Sequence, residues 1–383
     1  MASMRVDHTT MEWTSGVPFY GPAAVYDGKD IVQLKVLSDR RREGGGIAWL
    51  LAHKGMQVRV KDLTWEALAK AYKTVDEYSN QLVKRKKLTR NEARQRLLRV
   101  GGSVDWSGFA GCDVVIEAVV ENLEVKKKVL AEAETVVRSD CILATNTSSL
   151  RVADLAQALT HPERLVGMHF FNPVNRMPLV EVVAGPRSSP EAVATIAALA
   201  RQCGKTAIVV QDCPGFLVNR ILLPYMNEAA RCLTEGGDLR EIDRAISRYG
   251  MPMGPFVLTD EVGIDVGHKV AKILHEGYGE RMAVAPILAK VHEELKLLGT
   301  KAGKGFYLHE GKTLRLNPDI DAAIAGFVRG QTAVCLILGS FYAVALTLTG
   351  LNFGLLIGLI SGLITFIPYV GSMTGLILAL GVA

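Results

Sequence analysis

The sequence predicts an α/β chain in three parts: a doubly wound parallel-sheet domain, an all-helical domain, and a hydrophobic tail of transmembrane-type helices. Three observations carry this. From about Ile31, short β-rich runs alternate with amphipathic stretches, the signature of βαβ units. After Asp212-Cys213-Pro214-Gly215 the β-rich runs stop, and apolar residues recur three or four apart as they do along helices. The 44 Lys and Arg and 39 Asp and Glu residues end at Arg329, leaving 54 consecutive uncharged residues from Gly330 to Ala383. About 20 apolar residues suffice to span a bilayer as a helix.

Residues 1–30 are polar, punctuated by Gly and Pro, and stay unassigned. With no apolar stretch of roughly 7 to 15 residues they read as a cytoplasmic, non-secretory start. The sheet domain is expected over 31–212, beginning with Ile31 to Leu37, Gly46 to His53 and Gln57 to Asp62. A charged arm over 64–99 then reads as two helices, the second opened by Thr89 with Glu92 three residues on, a capping box. Further strands are expected at Asp113 to Val120, Cys141 to Ala144, Leu165 to His169, Leu179 to Val183 and Thr206 to Val210. Between the last two lies a helix with Ser189 before it, Pro190 at its first position and Gly204 after it. In the helical domain, 213–310, the helices are Phe216 to Gly236, Leu239 to Tyr249, Phe256 to Gly277 and Ala285 to Leu298. A junction at 311–329 leads to the tail at 330–383. Its apolar runs are Thr332 to Thr349, Phe353 to Ile367, and a third, cut short at Ala383, after a break at Pro368-Tyr369-Val370-Gly371.

The net charge of +5 comes from bases scattered among nearly as many acids, which does not suggest a nucleic acid partner. The six cysteines include no CxxC pair and no regular spacing, so neither a metal site nor a disulfide framework is expected. Gly299 to Gly305 has the wrong spacing for a phosphate loop, and Gly305 stands where a metal-binding Ser or Thr would be needed.

A dinucleotide-binding sheet should enter its first helix through G-x-G-x-x-G. Here only the third glycine position, Gly44, is kept; Asp39 and Arg41 occupy the other two. An acid beside a pyrophosphate is unfavourable, although the neighbouring arginines could pair with phosphate. Asp62, at the end of the next β-run and 18 residues past Gly44, suits the ribose hydroxyls of NAD, and equally suits a helix or turn cap. His169 ends a β-run, Asn172-Pro173 forces a turn, and a second β-run returns Glu181 twelve residues later. Side by side, the two would form a general base and its orienting carboxylate; a core histidine beside a surface acid has the same pattern.

Several motifs between about Gly44 and Phe306 occur in one order: Ile116 to Leu123 (IEAVVENL), Thr145 to Leu150 (TNTSSL), the His169 and Glu181 stretch, Asp212 to Arg220 (DCPGFLVNR), Pro252 to Phe256 (PMGPF) and Gly303 to Tyr307 (GKGFY). On these the chain resembles the 3-hydroxyacyl-CoA dehydrogenases, especially the dehydrogenase part of bacterial multifunctional fatty acid oxidation proteins. The resemblance implies a Rossmann-like sheet domain and oxidation of a (3S)-3-hydroxyacyl-CoA to the 3-ketoacyl-CoA in β-oxidation, with NAD as hydride acceptor. It makes His169 the catalytic base and Glu181 its partner, and places Ser148 and Asn219 on the substrate near its reacting oxygen. Glu121, Lys126 and Asn146 match cofactor-binding positions, with Gly44 and Asp62. Read alone, Ser148 could cap a helix, Asn219 could be a helix-surface amide and Lys126 a solvated charge. The partners implied are acyl-CoA and a second copy through the helical domain.

Two departures accompany the resemblance. The broken glycine fingerprint should reduce NAD affinity and puts activity in doubt, and 1–43 reads as a frame slip or spliced-in sequence. Asp321 to Gln331, the uncharged stretch and Phe366 to Gly371 resemble a fragment of the AI-2E family of membrane permeases. That implies membrane attachment if the tail is genuine, and fits two frames joined near Asn317-Pro318-Asp319. A permease-type fragment and an inactive acyl-CoA-binding homologue are the alternative functions.

Overall fold

Strand β1 (Gln33–Ser38), helix α1 (Arg42–His53) and strand β2 (Gln57–Lys61) open the fold as a parallel βαβ step. The computed structural model describes residues 33–38, 42–311, 313–364 and 370–382. The unassigned segment 1–30, Asp39, Arg41 and the break at Pro368 lie outside the described residues. The chain divides into two units, 1–220 and 221–383.

In the first unit the arm forms α2 (Trp65–Lys84) and α3 (Arg90–Leu97), each started by a threonine. Thr64 accepts from the Ala67 N–H, while Thr89 and Glu92 exchange both bonds of a capping box. Next comes β3 (Val100–Ser103), beside β2. Sequence periodicity misses it because Val100-Gly101-Gly102-Ser103 holds one apolar side chain and two glycines. The elements β4 (Val114–Ala118), α4 (Leu123–Val136), β5 (Ile142–Thr145), α5 (Val152–Leu155) and β6 (Leu165–Phe170) follow. Last come β7 (Leu179–Ala184), α6 (Pro190–Gln202) and β8 (Thr206–Gln211).

All eight strands join one sheet of order β3-β2-β1-β4-β5-β6-β7-β8. The first six are parallel and run 3-2-1-4-5-6, the Rossmann order, which reverses between β1 and β4 and opens a crevice there. β7 is antiparallel to β6, and β8 parallel to β7. Successive side chains leave the strands on opposite faces. Val114 and Ile116 join one core with residues of α1, α2 and α6, and Val115 joins the other with Leu130 and Leu155. Burial on both faces is why these strands read as near-continuous apolar runs.

Helix α7 (Val218–Thr234) starts at the end of this unit. The second unit continues with α8 (Leu239–Tyr249), α9 (Pro255–Val262), α10 (Ile264–Tyr278) and α11 (Pro286–Ala289). The single helix expected over Phe256 to Gly277 is broken at Gly263, whose φ of +98° ends α9 before α10 begins. The helix expected from Ala285 to Leu298 is a short α-turn that widens into a π-turn at Lys290–Glu294.

The unit is also not all-helical. Strands β9 (Tyr307–Glu310) and β10 (Thr313–Leu316) form an antiparallel hairpin with Gly311 at φ +71° in its turn. At four residues each, with polar side chains mixed in, they carry no readable period.

The tail forms α12 (Pro318–Leu348), α13 (Gly354–Ile364) and α14 (Val370–Val382). Here the expectation of transmembrane-type helices needs correction: among the described residues no helix is long and apolar enough to cross a membrane. Within the described residues α13 and α14 span 11 and 13 residues, a rise of about 16–20 Å against a hydrocarbon core of about 30 Å. α12 is long, but its length includes Asp319, Asp321 and Arg329. α12 and α13 pack at close range through glycines: a Cβ on Gly358 would lie 2.1 Å from the Ala343 nitrogen, and one on Gly362 2.0 Å from the Gly339 Cα.

Gly167 sits in β6 opposite Val183 of β7, where an added Cβ would lie 2.6 Å from the Val183 Cβ. Gly167→Ala is therefore expected to destabilise the first unit by roughly 1–3 kcal/mol, read as a lower urea midpoint with an unchanged slope.

Candidate active site

The antiparallel β6–β7 register puts His169 directly opposite Glu181. Both side chains are buried, and His169 Nδ1 lies 2.7 Å from Glu181 Oε2. The other carboxylate oxygen, Oε1, accepts the backbone N–H groups of Leu217 and Val218 at 3.0 and 2.9 Å. Val218 opens α7, so this oxygen meets the partial positive charge of a helix N-terminus. A carboxylate so held is an acceptor only. Nδ1 therefore points a proton at the carboxylate, and Nε2 is the ring nitrogen not engaged by Glu181.

The chain reaches this position through a tight turn with Gly215 at φ +72° and Phe216 at φ +50°. A left-handed phenylalanine costs on the order of 1 kcal/mol. Burial of the Phe216 ring offsets it: the ring packs in the core with its centroid 5.7 Å from that of His169, while Phe171 lies 4.6 Å from the same imidazole.

A second set of bonds ties the loops after β4 and β5. Glu121 Oε1 accepts from the Thr147 hydroxyl at 2.6 Å, the Ser148 N–H at 2.9 Å, and the Ser149 N–H and hydroxyl at 3.1 Å. The Ser148 carbonyl accepts from Asn219 Nδ2 at 2.8 Å, joining this loop to the start of α7. Asn146 bridges two ways: Oδ1 accepts the Phe170 N–H at 2.8 Å, next to His169, and Nδ2 donates to Glu43 at 3.4 Å. Asn146 thus bonds the residue after His169, Asn219 follows the N–H groups that hold Glu181, and Ser148 and Glu121 are joined to Asn219 in turn. Gly44 lies within α1 and Asp62 follows β2, at the crevice end of the sheet.

Lys126, expected at a cofactor-contacting position or else as a solvated charge, is not a solvated charge. Its Nζ is wholly buried and donates to both Glu117 oxygens, at 2.8 and 3.0 Å, and to the Val119 carbonyl at 3.2 Å, with Glu121 at 3.4 Å. Burial alone would lower its pKa, but Glu117 and Glu121 outweigh it and raise the pKa above the ordinary lysine value. Burial alone would likewise raise Glu121; Lys126 and the hydroxyl and N–H donors outweigh it and hold the carboxyl low. The ammonium thus braces Glu121 from beneath, which in turn holds Ser148.

Two acids outside the expected site residues organise this floor. Glu117, fully buried in the middle of β4, also accepts the Val119 N–H at 2.6 Å and the Thr145 hydroxyl at 2.7 Å. An acid inside the otherwise apolar run Val114 to Ala118 is the sequence signal that could have found it. Asp212 accepts the N–H groups of Val152 and Ala153 at 2.9 and 2.7 Å, capping α5 from 60 residues away where Arg151 supplies no side-chain cap. Burial raises the Asp212 pKa despite these bonds.

The residues fit a dinucleotide. The reversal of strand order, the start of α1 beyond β1, and the buried Asp62 carboxylate at the end of β2 are the parts such a ligand needs. Among the described residues, Glu43 in the first turn of α1 opposes a phosphate charge.

Sheet order and crevice together define a Rossmann-type dinucleotide-binding fold. Residues 43–213 match the family model for the 3-hydroxyacyl-CoA dehydrogenase NAD binding domain, and 215–309 that for the C-terminal domain of the same enzymes. Residues 309–383 match the model of the AI-2E family transporter. The chain is 35% identical to (S)-3-hydroxybutyryl-CoA dehydrogenase from Ralstonia eutropha, with a TM-score of 0.70 over 73% of this chain and 99% of that one. It is also 35% identical to 3-hydroxybutyryl-CoA dehydrogenase from Escherichia coli, at a TM-score of 0.70 over 74% of this chain and 61% of that one. The fatty acid oxidation complex subunit alpha of Psychrobacter cryohalolentis is 46% identical over 268 residues, covering 70% of this chain and 37% of that protein. The chain thus spans little more than a third of the length of that relative. It belongs to the 3-hydroxyacyl-CoA dehydrogenase family.

Replacing Lys126 with Met would strand the Glu117 carboxylate in the core. Lys126→Met is expected to lose roughly 3–5 kcal/mol of stability, and Glu117→Gln combined with Lys126→Met to recover part of it, measured by denaturant titration.

Proposed function

We propose that the chain oxidises the 3-hydroxyl of a (3S)-3-hydroxyacyl-CoA to the ketone, with His169 as base, in the manner of β-oxidation. The observation that carries this is the buried His169–Glu181 pair held at 2.7 Å, with Glu181 in turn fixed by the start of α7. NAD, when bound, accepts the hydride from C3. Nε2 of His169 takes the hydroxyl proton as the C–H bond breaks, and Glu181 stabilises the imidazolium that forms. Ser148 and Asn219, linked through the Ser148 carbonyl, position the reacting oxygen. Asp62 holds the cofactor ribose, while Gly44, Asn146 and Glu121 line the cofactor side. Lys126 acts through Glu121. A homodimer through the helical unit belongs to the same reading, supported by the family resemblance.

A second reading concerns the tail. Exposed Leu336, Ile337, Phe341, Leu355, Leu363 and Leu376, with no charge after Arg329, favour contact with lipid at a membrane surface. Co-flotation of the full chain with phospholipid vesicles, and its loss in a chain ending at Arg329, is the expected result; equal flotation of both would refute this reading.

With acetoacetyl-CoA and NADH the full chain should oxidise NADH, followed by absorbance. His169→Gln should lower kcat by roughly 10²–10⁴-fold with NADH binding retained. Glu181→Gln should lower kcat as well, since an amide cannot act as an acceptor only and balance the imidazolium. Absence of turnover from a folded chain that binds NADH would refute the assignment.

A further inference from the structure

The second unit contains a cavity of about 650 Å³ that shares no residue with the His169 site. Its rim is α8, which presents Arg240, Arg244 and Arg248 on successive turns. Met253, Val257, Tyr307 and the partly exposed Leu314 add an apolar lining. Local sequence builds the hollow. Gly250, at φ +122°, ends α8 and turns the chain back, and Gly254 has no side chain because Asp243 occupies that space, with its Oδ1 2.3 Å from where a Cβ would be.

The charge on this rim is one-sided. Asp243 is the one carboxylate lining the cavity, and both its oxygens are engaged: Oδ1 accepts the Phe256 N–H at 2.9 Å and Oδ2 the Tyr307 hydroxyl at 2.7 Å. Glu241 pairs with Arg244 at 2.5 Å. Among the described residues no ion pair engages Arg240 or Arg248. Three guanidinium groups meet two carboxylates, and Arg240 and Arg248 stand about 12 Å apart along the helix. A single carboxylate could not reach both ends of that row, whereas an anion with phosphates at two places could, each phosphate meeting a planar fork of donors. The apolar lining would take a flat ring, and the volume falls within the usual range for organic ligands.

We propose that this cavity is a second ligand site, for an adenine-nucleotide-type anion bearing phosphates at two positions. That chemistry could come from a free nucleotide or from the adenosine 3′-phosphate end of a coenzyme A. The test is calorimetric titration of the full chain, saturated with NADH to fill the crevice of the first unit, with adenosine 3′,5′-bisphosphate, ADP, coenzyme A and inorganic phosphate as separate ligands. One equivalent of bisphosphate should bind, and the double variant Arg240→Gln, Arg248→Gln should bind it at least about tenfold more weakly. Both arginines are exposed, so circular dichroism should match the parent chain. Coenzyme A binding like the bisphosphate, with ADP weaker, would assign the coenzyme as source; ADP binding equally would assign free nucleotides. Three results would overturn the proposal: no binding, binding unaltered by the double variant, or inorganic phosphate binding as tightly as the nucleotides. Weaker self-association of the double variant in sedimentation, with no nucleotide bound by the parent, would overturn it in favour of an interface between copies.

Discussion

The Glu181 carboxylate is the point on which the candidate site depends. It is buried in β7, so leaving it charged requires donors for both oxygens. His169 provides one and the first N–H groups of α7 provide the others. A strand of the sheet, the histidine on its neighbour and the start of α7 thus meet on one side chain. The antiparallel turn from β6 to β7 is what makes this possible: a parallel pair needs a crossover of a dozen residues or more and could not return an acid opposite the histidine so soon.

Beneath this pair lies a more rigid layer. Lys126, Glu117 and Glu121 form a buried chain of alternating charge whose polar atoms are satisfied by Thr145, Thr147, Val119 and Ser149. Such a network gains little net stability over an apolar core, but a change in any one member leaves a buried charge exposed to its full desolvation cost. Its physical effect is to hold the loops after β4 and β5 at fixed separation. Ser148, carried by the second loop, is then bound from one side by Glu121 and from the other by Asn219.

The two families matched along the chain do not meet at a loose linker. The model for the dehydrogenase C-terminal domain ends at residue 309 and that for the transporter begins there, inside strand β9. Ile320 and Ala323, from the first turns of α12, belong to the core of the second unit with Phe256 and Phe306. Asn317 is buried as well; it donates to the Gly305 carbonyl at 2.7 Å and accepts the Asp319 N–H that starts α12. The tail is therefore anchored by packing and by a cap, even though most of its apolar surface beyond Arg329 is exposed.

Features set by local period and local caps are legible in the sequence. The buried strands read as apolar runs, Thr89 with Glu92 and Ser189 with Pro190 marked helix starts, and a β-run, Asn172-Pro173 and a second β-run allowed His169 and Glu181 to stand side by side. Only the tertiary structure decided where Lys126 points, because an amine on α4 reads as a solvated charge until β4 places Glu117 beneath it. The same holds for Asp212 capping α5 from a distance, for Gly263 breaking a helix, and for the short β9–β10 hairpin. Hydrophobic periodicity reports which face of an element is buried. It carries no information about which polar group, many residues away, will supply the partner that a buried charge requires.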